Sequence, residues 1–176
     1  MGVLNIIREL FKNDSDQPDD QSAKIVWTKY SEPVLDDHTE EYRELKSKRI
    51  TPSYITSLEP NEVFVFGSNV YGIHDGGASE CASKWFGAIE GQAEGPQGNS
   101  YAIPTDGVSL DEIKYAVDIF TDFAIAFPEL TFLVTEIGCG TAGYHPSEIA
   151  PLFKDAVRIK NICLPKIFWD YLNTKS

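Results

Sequence analysis

From residue 62 onward the chain alternates short apolar runs with stretches whose apolar residues keep a helical period. Val63-Phe64-Val65-Phe66 is a continuous apolar run, the pattern of a strand buried on both faces. Phe132-Leu133-Val134, flanked by Thr131 and Thr135, predicts a second strand over 131–136, because β-branched and aromatic residues favour strand over helix. Ser100–Ile103, closed by Pro104, and Asn161–Leu164 predict two more. Helical stretches lie between them. Ala78–Phe86 turns Ala78, Cys81, Ala82 and Trp85 to one face. Ile113, Ala116, Val117, Phe120, Ala124 and Phe127 form the stripe of a long helix, opened by a Ser109/Glu112 capping box and ended by Pro128. A helix over 146–157 has Pro146 at its first position and Glu148 in its first turn. Phe168–Leu172 reads as a terminal helical turn. Gly87–Gly98, rich in Gly and Gln, predicts no core element.

The first part of the chain reads differently. Val3, Leu4, Ile6, Ile7, Leu10 and Phe11 fall on one side of a helix over 1–12. Asn13–Ser22 is polar, with four aspartates and a proline, and reads as a linker. Lys24–Tyr30 predicts a strand and Glu40–Lys48 a short exposed helix, while Thr51–Pro60 is turn-rich. The expected division is an amphipathic helix with an acidic linker over 1–22 and one α/β domain over 23–176. The helix over 1–12 either packs on the domain or docks on a protein partner or a second copy. It lacks the basic polar face of helices that lie on membranes.

Strands alternating with helices predict an α/β fold with a central mixed, largely parallel sheet and helices on both faces. In such sheets ligands bind outside the carboxyl ends of the strands. Two of those ends carry glycine-rich loops, 67–77 and 137–144, and Pro104–Gly107 is expected on the same side. A strand, a glycine loop and a helix start together turn backbone N–H groups and a positive helix end toward an anion. A small-molecule crevice between the two loops is the expectation.

Charge narrows the ligand. With 27 acidic and 15 basic residues the formal net charge is −12, which argues against DNA or RNA, whose phosphate backbones need clustered Lys and Arg. A small anion remains compatible, because a nest of amides acts locally. No apolar run approaches the ~20 residues of a membrane span. Asn5, Arg8 and Glu9 interrupt the start, against a signal peptide, and Ile6 breaks the myristoylation pattern. Cys81, Cys139 and Cys163, widely spaced and without a CxxC, suit a reduced cytoplasmic protein lacking disulfides or structural zinc. No cofactor and no metal site are expected.

Neither glycine loop carries a Lys or Arg; from residue 67 the first is Lys84, and none occurs between 131 and 153. A phosphate there would be held by amides and helix ends. Ser68, Asn69, His74, Asp75, Thr135, Glu136 and Thr141 supply polar groups, and Tyr144 could stack on a ring or cover the site. The absence of GxxxxGK[ST] disfavours P-loop hydrolysis of ATP or GTP. Gly138-Cys139-Gly140-Thr141-Ala142-Gly143 matches GxGxxG. The acid expected about 20 residues on would be Asp155, inside a helix rather than at a strand end, which disfavours a Rossmann site.

Three segments resemble the macrodomain superfamily, which binds ADP-ribose and related nucleotides. VFVFGSNVYGIHDGGASECA resembles its strand, Asn-containing turn and glycine-rich helix start. Asn69 takes the place of the turn Asn, and Gly76-Gly77-Ala78 that of the glycine run. EGPQGNSYAIPT resembles the glycine-spaced approach to the next strand. FLVTEIGCGTAGYHPSEIAPLFKDAV resembles the strand, phosphate-cradling loop and helix. The similarity is greatest to bacterial and phage macrodomain-like proteins of unassigned function. It implies a three-layer macrodomain-like fold and an ADP-ribose-like ligand. The ligand would lie on Gly67, Ser68, Asn69, Gly76, Gly77, Ala78, Gly138, Cys139, Gly140, Thr141, Ala142 and Gly143, closed by Tyr144. The chain departs from the pattern in its short glycine run, in Cys139 where small or hydroxyl residues are typical, and in lacking an alignable acid for adenine.

Candidate catalytic groups border these loops. Asp75 either activates a water or caps the following helix. His74 either acts as acid or base or is an exposed polar loop residue. Asn69 either binds ribose or satisfies the turn. Cys139 is a nucleophile only if its pKa is lowered; otherwise it is a small buried thiol. Glu136 faces the site or pairs with Lys84. Glu94 is a lid carboxylate or a solvated loop residue. Three functions follow: a nucleotide-binding module, a hydrolase of ADP-ribosyl linkages or ADP-ribose-derived metabolites, or an interaction protein without a small-molecule ligand.

Overall fold

The computed structural model describes residue 44 and residues 48–173. The expected helix over 1–12, the linker over 13–22 and the strand over 24–30 lie outside the described residues. So does most of the helix over 40–48, of which Glu44 is helical and Lys48 sits in a turn.

Six strands form one sheet: β1 (Ile50–Thr51), β2 (Glu62–Asn69), β3 (Gly95–Gln97), β4 (Ser100–Asp106), β5 (Thr131–Val134) and β6 (Ile162–Pro165). Their spatial order is β1-β6-β5-β2-β4-β3. Every neighbouring pair is parallel except β3 with β4. The helices are α1 (Gly77–Trp85), α2 (Leu110–Ala126), α3 (Pro146–Ile149) and α4 (Lys166–Asn173), with two 3-10 turns at Ala150–Phe153 and Ala156–Arg158.

Side-chain alternation along the strands builds three layers. Phe64, Phe66, Ala102, Leu133 and Cys163 share a core with Ala82 and Phe86 at α1 and with Ile55. The intervening residues face α2. The Tyr101 ring lies 5.1 Å from Phe120 and 5.1 Å from Phe123, and the Phe132 ring 5.5 Å from Phe120. This is the expected α/β fold: a mixed, largely parallel sheet with helices on both faces. The central run Phe132-Leu133-Val134 is fully buried, and each such side chain stabilises by about 1.5–3 kcal/mol relative to exposure.

Several bounds differ from the sequence expectation. β2 continues through Gly67 to Asn69 because β4 pairs alongside it, Gly67 with Ile103 and Ser68 with Pro104, before a register shift at Ser68/Asn69. Pro104 does not end β4, since its missing N–H falls beside that shift. The expected 146–157 helix breaks after one α-turn into 3-10 pieces. Pro151 has no N–H to donate and its ring opposes the carbonyl four residues back. β1 and β3 were not expected; each is only two or three residues long and carries no periodic signal. The α2 end is closed from a distance: Asn161 Nδ2 lies 2.9–3.1 Å from the carbonyls of Ala124, Phe127 and Leu130.

Candidate functional site

The carboxyl ends of β2, β4 and β5 open into a cleft of about 370 Å³. Most of the expected ligand residues line it: Gly67, Ser68 and Asn69, then Asp75, Gly76, Gly77 and Ala78, and across from them Gly138, Gly140, Thr141 and Ala142. Cys139, Gly143, Tyr144 and His74 are not among the lining residues. Thr105 and Asp106 are, and no role was expected for them; the one signal was their position just after the apolar run Ser100–Ile103, at a strand end on the ligand side.

The loop after β5 is held by its own backbone. Cys139 N–H donates to Glu136 O at 3.2 Å, Gly143 N–H to Gly140 O at 3.0 Å and Tyr144 N–H to Gly138 O at 3.0 Å. Gly138 has φ +72°, and a β-carbon there would come within 3.0 Å of Ile149 Cδ1, so only glycine fits both the backbone and the packing. The amides of Gly140, Thr141 and Ala142 donate to nothing among the described residues. All three residues line the cleft. Opposite them, α1 begins with Gly76 as an extended N-cap lacking a side-chain cap bond, so its first-turn amides are also open.

Asp75 does not cap that helix. It is exposed on the cleft wall, while the Ser79 hydroxyl donates to Gly76 O at 2.7 Å. Asn69 serves the turn: its Oδ1 accepts from Tyr71 N–H at 3.0 Å and Ile73 N–H at 3.1 Å, and its Nδ2 donates to Ile73 O at 3.0 Å. His74 is not an exposed loop residue; it is 5% exposed. Its Nε2 donates to Ile89 O at 3.1 Å and its ring meets the Phe66 ring edge-on at 5.2 Å. Its Nδ1 is buried and has no partner among the described residues. The carbonyl acceptor fixes the proton on Nε2, and the ring straps loop 70–75 to loop 87–92.

Tyr144 ties two loops together, its hydroxyl donating to Val108 O at 2.6 Å. The Cys139 thiol is pushed up to about 11, by burial first and then by Glu136 and Glu148. A lowered pKa was the condition for a nucleophile, and the acidic surroundings impose the opposite. Lys84 pairs with Glu80, leaving Glu136 exposed in the cleft. Gly87–Gly98 holds an ordered network rather than a loose lid. Gln97 Oε1 accepts from Ile89 N–H at 2.6 Å, Gln97 Nε2 donates to Gln92 O at 3.1 Å, and the Ser68 hydroxyl donates to Ala93 O.

A second hollow of about 600 Å³ shares Ala78, Thr135 and Glu136 with the cleft. Its other walls include Thr51, Tyr54, Ile55, Trp85 and Pro165. Thr51 Oγ1 is buried and has no hydrogen-bond partner among the described residues. Among the described residues the cleft is lined by three carboxylates, Asp75, Asp106 and Glu136, and by no Lys, Arg or His. Among the described residues no group of three or more His, Cys, Asp or Glu could hold a metal ion, and no helix is long and apolar enough to cross a membrane. Comparison with protein-family models, with curated proteins and with solved structures finds no match to this chain.

Proposed function

We propose that the cleft binds ADP-ribose or a related nucleotide-derived phosphate ligand, as the macrodomain resemblance implies. One observation carries the reading: the loop Gly140–Ala142, whose amides have no acceptor among the described residues, and the start of α1, which has no side-chain cap, line one cleft. Two sets of backbone donors along one cleft suit a diphosphate, which offers acceptor oxygens on both phosphates. The adjoining hollow, with Tyr54, Trp85 and Ile55 on its walls, offers an aromatic and aliphatic place for a base. The test is a thermal-shift titration with ADP-ribose, using AMP and NAD as controls. Ligand at about 100 times its dissociation constant adds about 2.7 kcal/mol of stability. A selective shift by ADP-ribose supports the reading; no shift by any of the three overturns it.

A second reading, hydrolysis of an ADP-ribosyl linkage or an ADP-ribose-derived metabolite, is favoured by Asp75. Its carboxylate is relieved of capping and stands beside the glycine turn. As a general base it would take a proton from water attacking the anomeric carbon, while the glycosidic bond breaks and the leaving oxygen takes a proton from solvent. Asp75→Ala is then expected to keep binding and abolish turnover. An unchanged rate removes Asp75 from the chemistry.

A further inference from the structure

Four large apolar side chains stand out in solvent on two neighbouring loops: Tyr71 is 75% exposed, Ile89 54%, Val70 43% and Ile73 43%. Only Ile73 of the four also lines the cleft, so they make a surface of their own that meets the cleft at one residue. Single exposed apolar residues need no explanation, whereas a group held together marks an interaction surface.

The two loops are bonded to each other. Gly91 N–H donates to Gly72 O at 2.9 Å and His74 Nε2 to Ile89 O at 3.1 Å. Gly72, at φ +68°, lies so near the second loop that a β-carbon would sit 2.5 Å from Gln92 N. Tyr71 and Ile73 flank that contact on one loop, and Ile89 precedes it on the other. Side chains then pin the backbone of the displayed residues themselves. Asn69 Oδ1 accepts from Tyr71 N–H and Ile73 N–H, and Gln97 Oε1 accepts from Ile89 N–H. Turning Tyr71 or Ile89 inward would break these bonds. The display is fixed before any partner binds, which lowers the ordering cost of association.

Charge selects the occupant. Residues 67–113 hold one cation, Lys84, against seven carboxylates, and Lys84 is paired with Glu80. One carboxylate sits at the seam of the two loops: Glu90 Oε2 accepts from His74 N–H at 3.3 Å, between the neighbours of Ile73 and Ile89 in the chain. A second copy, at net charge −12, an anionic lipid surface and a nucleic acid are all repelled by this face, and a cationic chain is drawn to it. We propose that Val70, Tyr71, Ile73 and Ile89 form a docking surface for a basic segment of another protein. Aliphatic side chains of the segment cover the four, and its Lys or Arg meets Glu90. The surface works with the cleft empty or filled.

The test is fluorescence anisotropy with short labelled peptides of alternating Lys and Leu, of alternating Lys and Ser, and of alternating Glu and Leu. Each is titrated at low and high salt with the full chain and with its Tyr71→Ser/Ile89→Ser and Glu90→Gln variants. The Lys/Leu peptide is expected to bind about tenfold or more tighter than either of the others. The double variant is expected to lose about fivefold or more of that affinity. Glu90→Gln keeps an oxygen for His74 N–H and is expected to lose about twofold or more at low salt, with the difference vanishing at high salt. Amide exchange on the unaltered chain locates the bound Lys/Leu peptide without any substitution, and protection is expected at 70–73 and 89–92. Equal affinity for the Lys/Leu and Lys/Ser peptides overturns the proposal, since charge alone then suffices. So does a double variant that binds normally, protection confined to other residues, or no binding by the Lys/Leu peptide. Concentration-dependent dimerisation that the double variant abolishes in sedimentation would assign the surface to a second copy and overturn it as well.

Discussion

The Thr105 hydroxyl occupies the space that a β-carbon on Gly67 would need: the two would lie 2.7 Å apart, with Gly138 N only 3.3 Å away on the other side. Position 67 is thus where β2, β4 and the glycine loop after β5 close on one another beneath the cleft. A methyl group there is expected to destabilise by about 1–3 kcal/mol through overpacking. Gly67→Ala is expected to show this in urea denaturation and to weaken ligand binding. Adding Thr105→Ala removes the opposing atom and recovers at least half of the lost stability. Adding Thr105→Ser keeps the hydroxyl and recovers little. No rescue by either would mean that the Gly138 side sets the cost.

Gln97 is buried and bonds at both ends of its amide, to Ile89 N–H and Gln92 O. Gln97→Ala removes two part-buried hydrogen bonds, worth roughly 0.5–1.5 kcal/mol each. The loss is expected to be local. Hydrogen exchange at the Ile89 amide rises by about tenfold or more, since 1.4 kcal/mol is a factor of ten, while the α2 amides stay protected. Uniform acceleration across the chain would show instead that the loop unfolds only with the whole domain.

These two sites show where a sequence stops being readable. The strand runs at Val63–Phe66 and Phe132–Val134 and the stripe from Ile113 to Phe127 are visible because burial repeats with the period of the backbone. The clustering of strand ends followed from their alternation with helices, and so did a cleft lined by Gly67, Gly138 and Gly140–Ala142. Gln97 was not legible as a hub, since its partners Ile89 and Gln92 are set by the fold of a Gly-rich loop without periodicity. His74 is the same case from the other side. A polar residue in a polar loop reads as exposed, and only the packing of Phe66 beneath it and Ile89 beside it shows that it is buried. Pro151 was in plain view, and its clash with a continuing helix outweighs the apolar pattern around it.

Asn69 separates its two hydrogen-bonding ends. Oδ1 accepts from two backbone amides, and Nδ2 donates once. Asn69→Asp keeps the acceptor and loses one donor to Ile73 O, so it is expected to cost about 1 kcal/mol or less. Asn69→Ala removes all three bonds and is expected to cost roughly 1–3 kcal/mol and to loosen residues 70–75. Ligand affinity is expected to follow the same order, falling through disorder of the Ile73–Ala78 wall. Equal affinity loss in both variants would point to direct contact between Nδ2 and the ligand.

Cys139 provides the pH-dependent prediction. Its thiol ordinarily ionises at 9.0 and is held up to about 11 in the fold, first by burial and then by Glu136 and Glu148. The folded chain therefore keeps this proton more tightly than the unfolded chain does. Below pH 9 both states are protonated and the contribution to stability is complete; as pH rises from 9 through about 11 the unfolded chain ionises first and the contribution is lost. Alkylation of Cys139 needs the thiolate, so its rate is expected to stay low through neutral pH and to inflect near 11, in a Cys81→Ser/Cys163→Ala background that isolates the one thiol. Cys139→Ser is expected to bind ADP-ribose as the parent does. An inflection at or below pH 8.5 would contradict the acidic, desolvated environment and return Cys139 to the list of candidate nucleophiles.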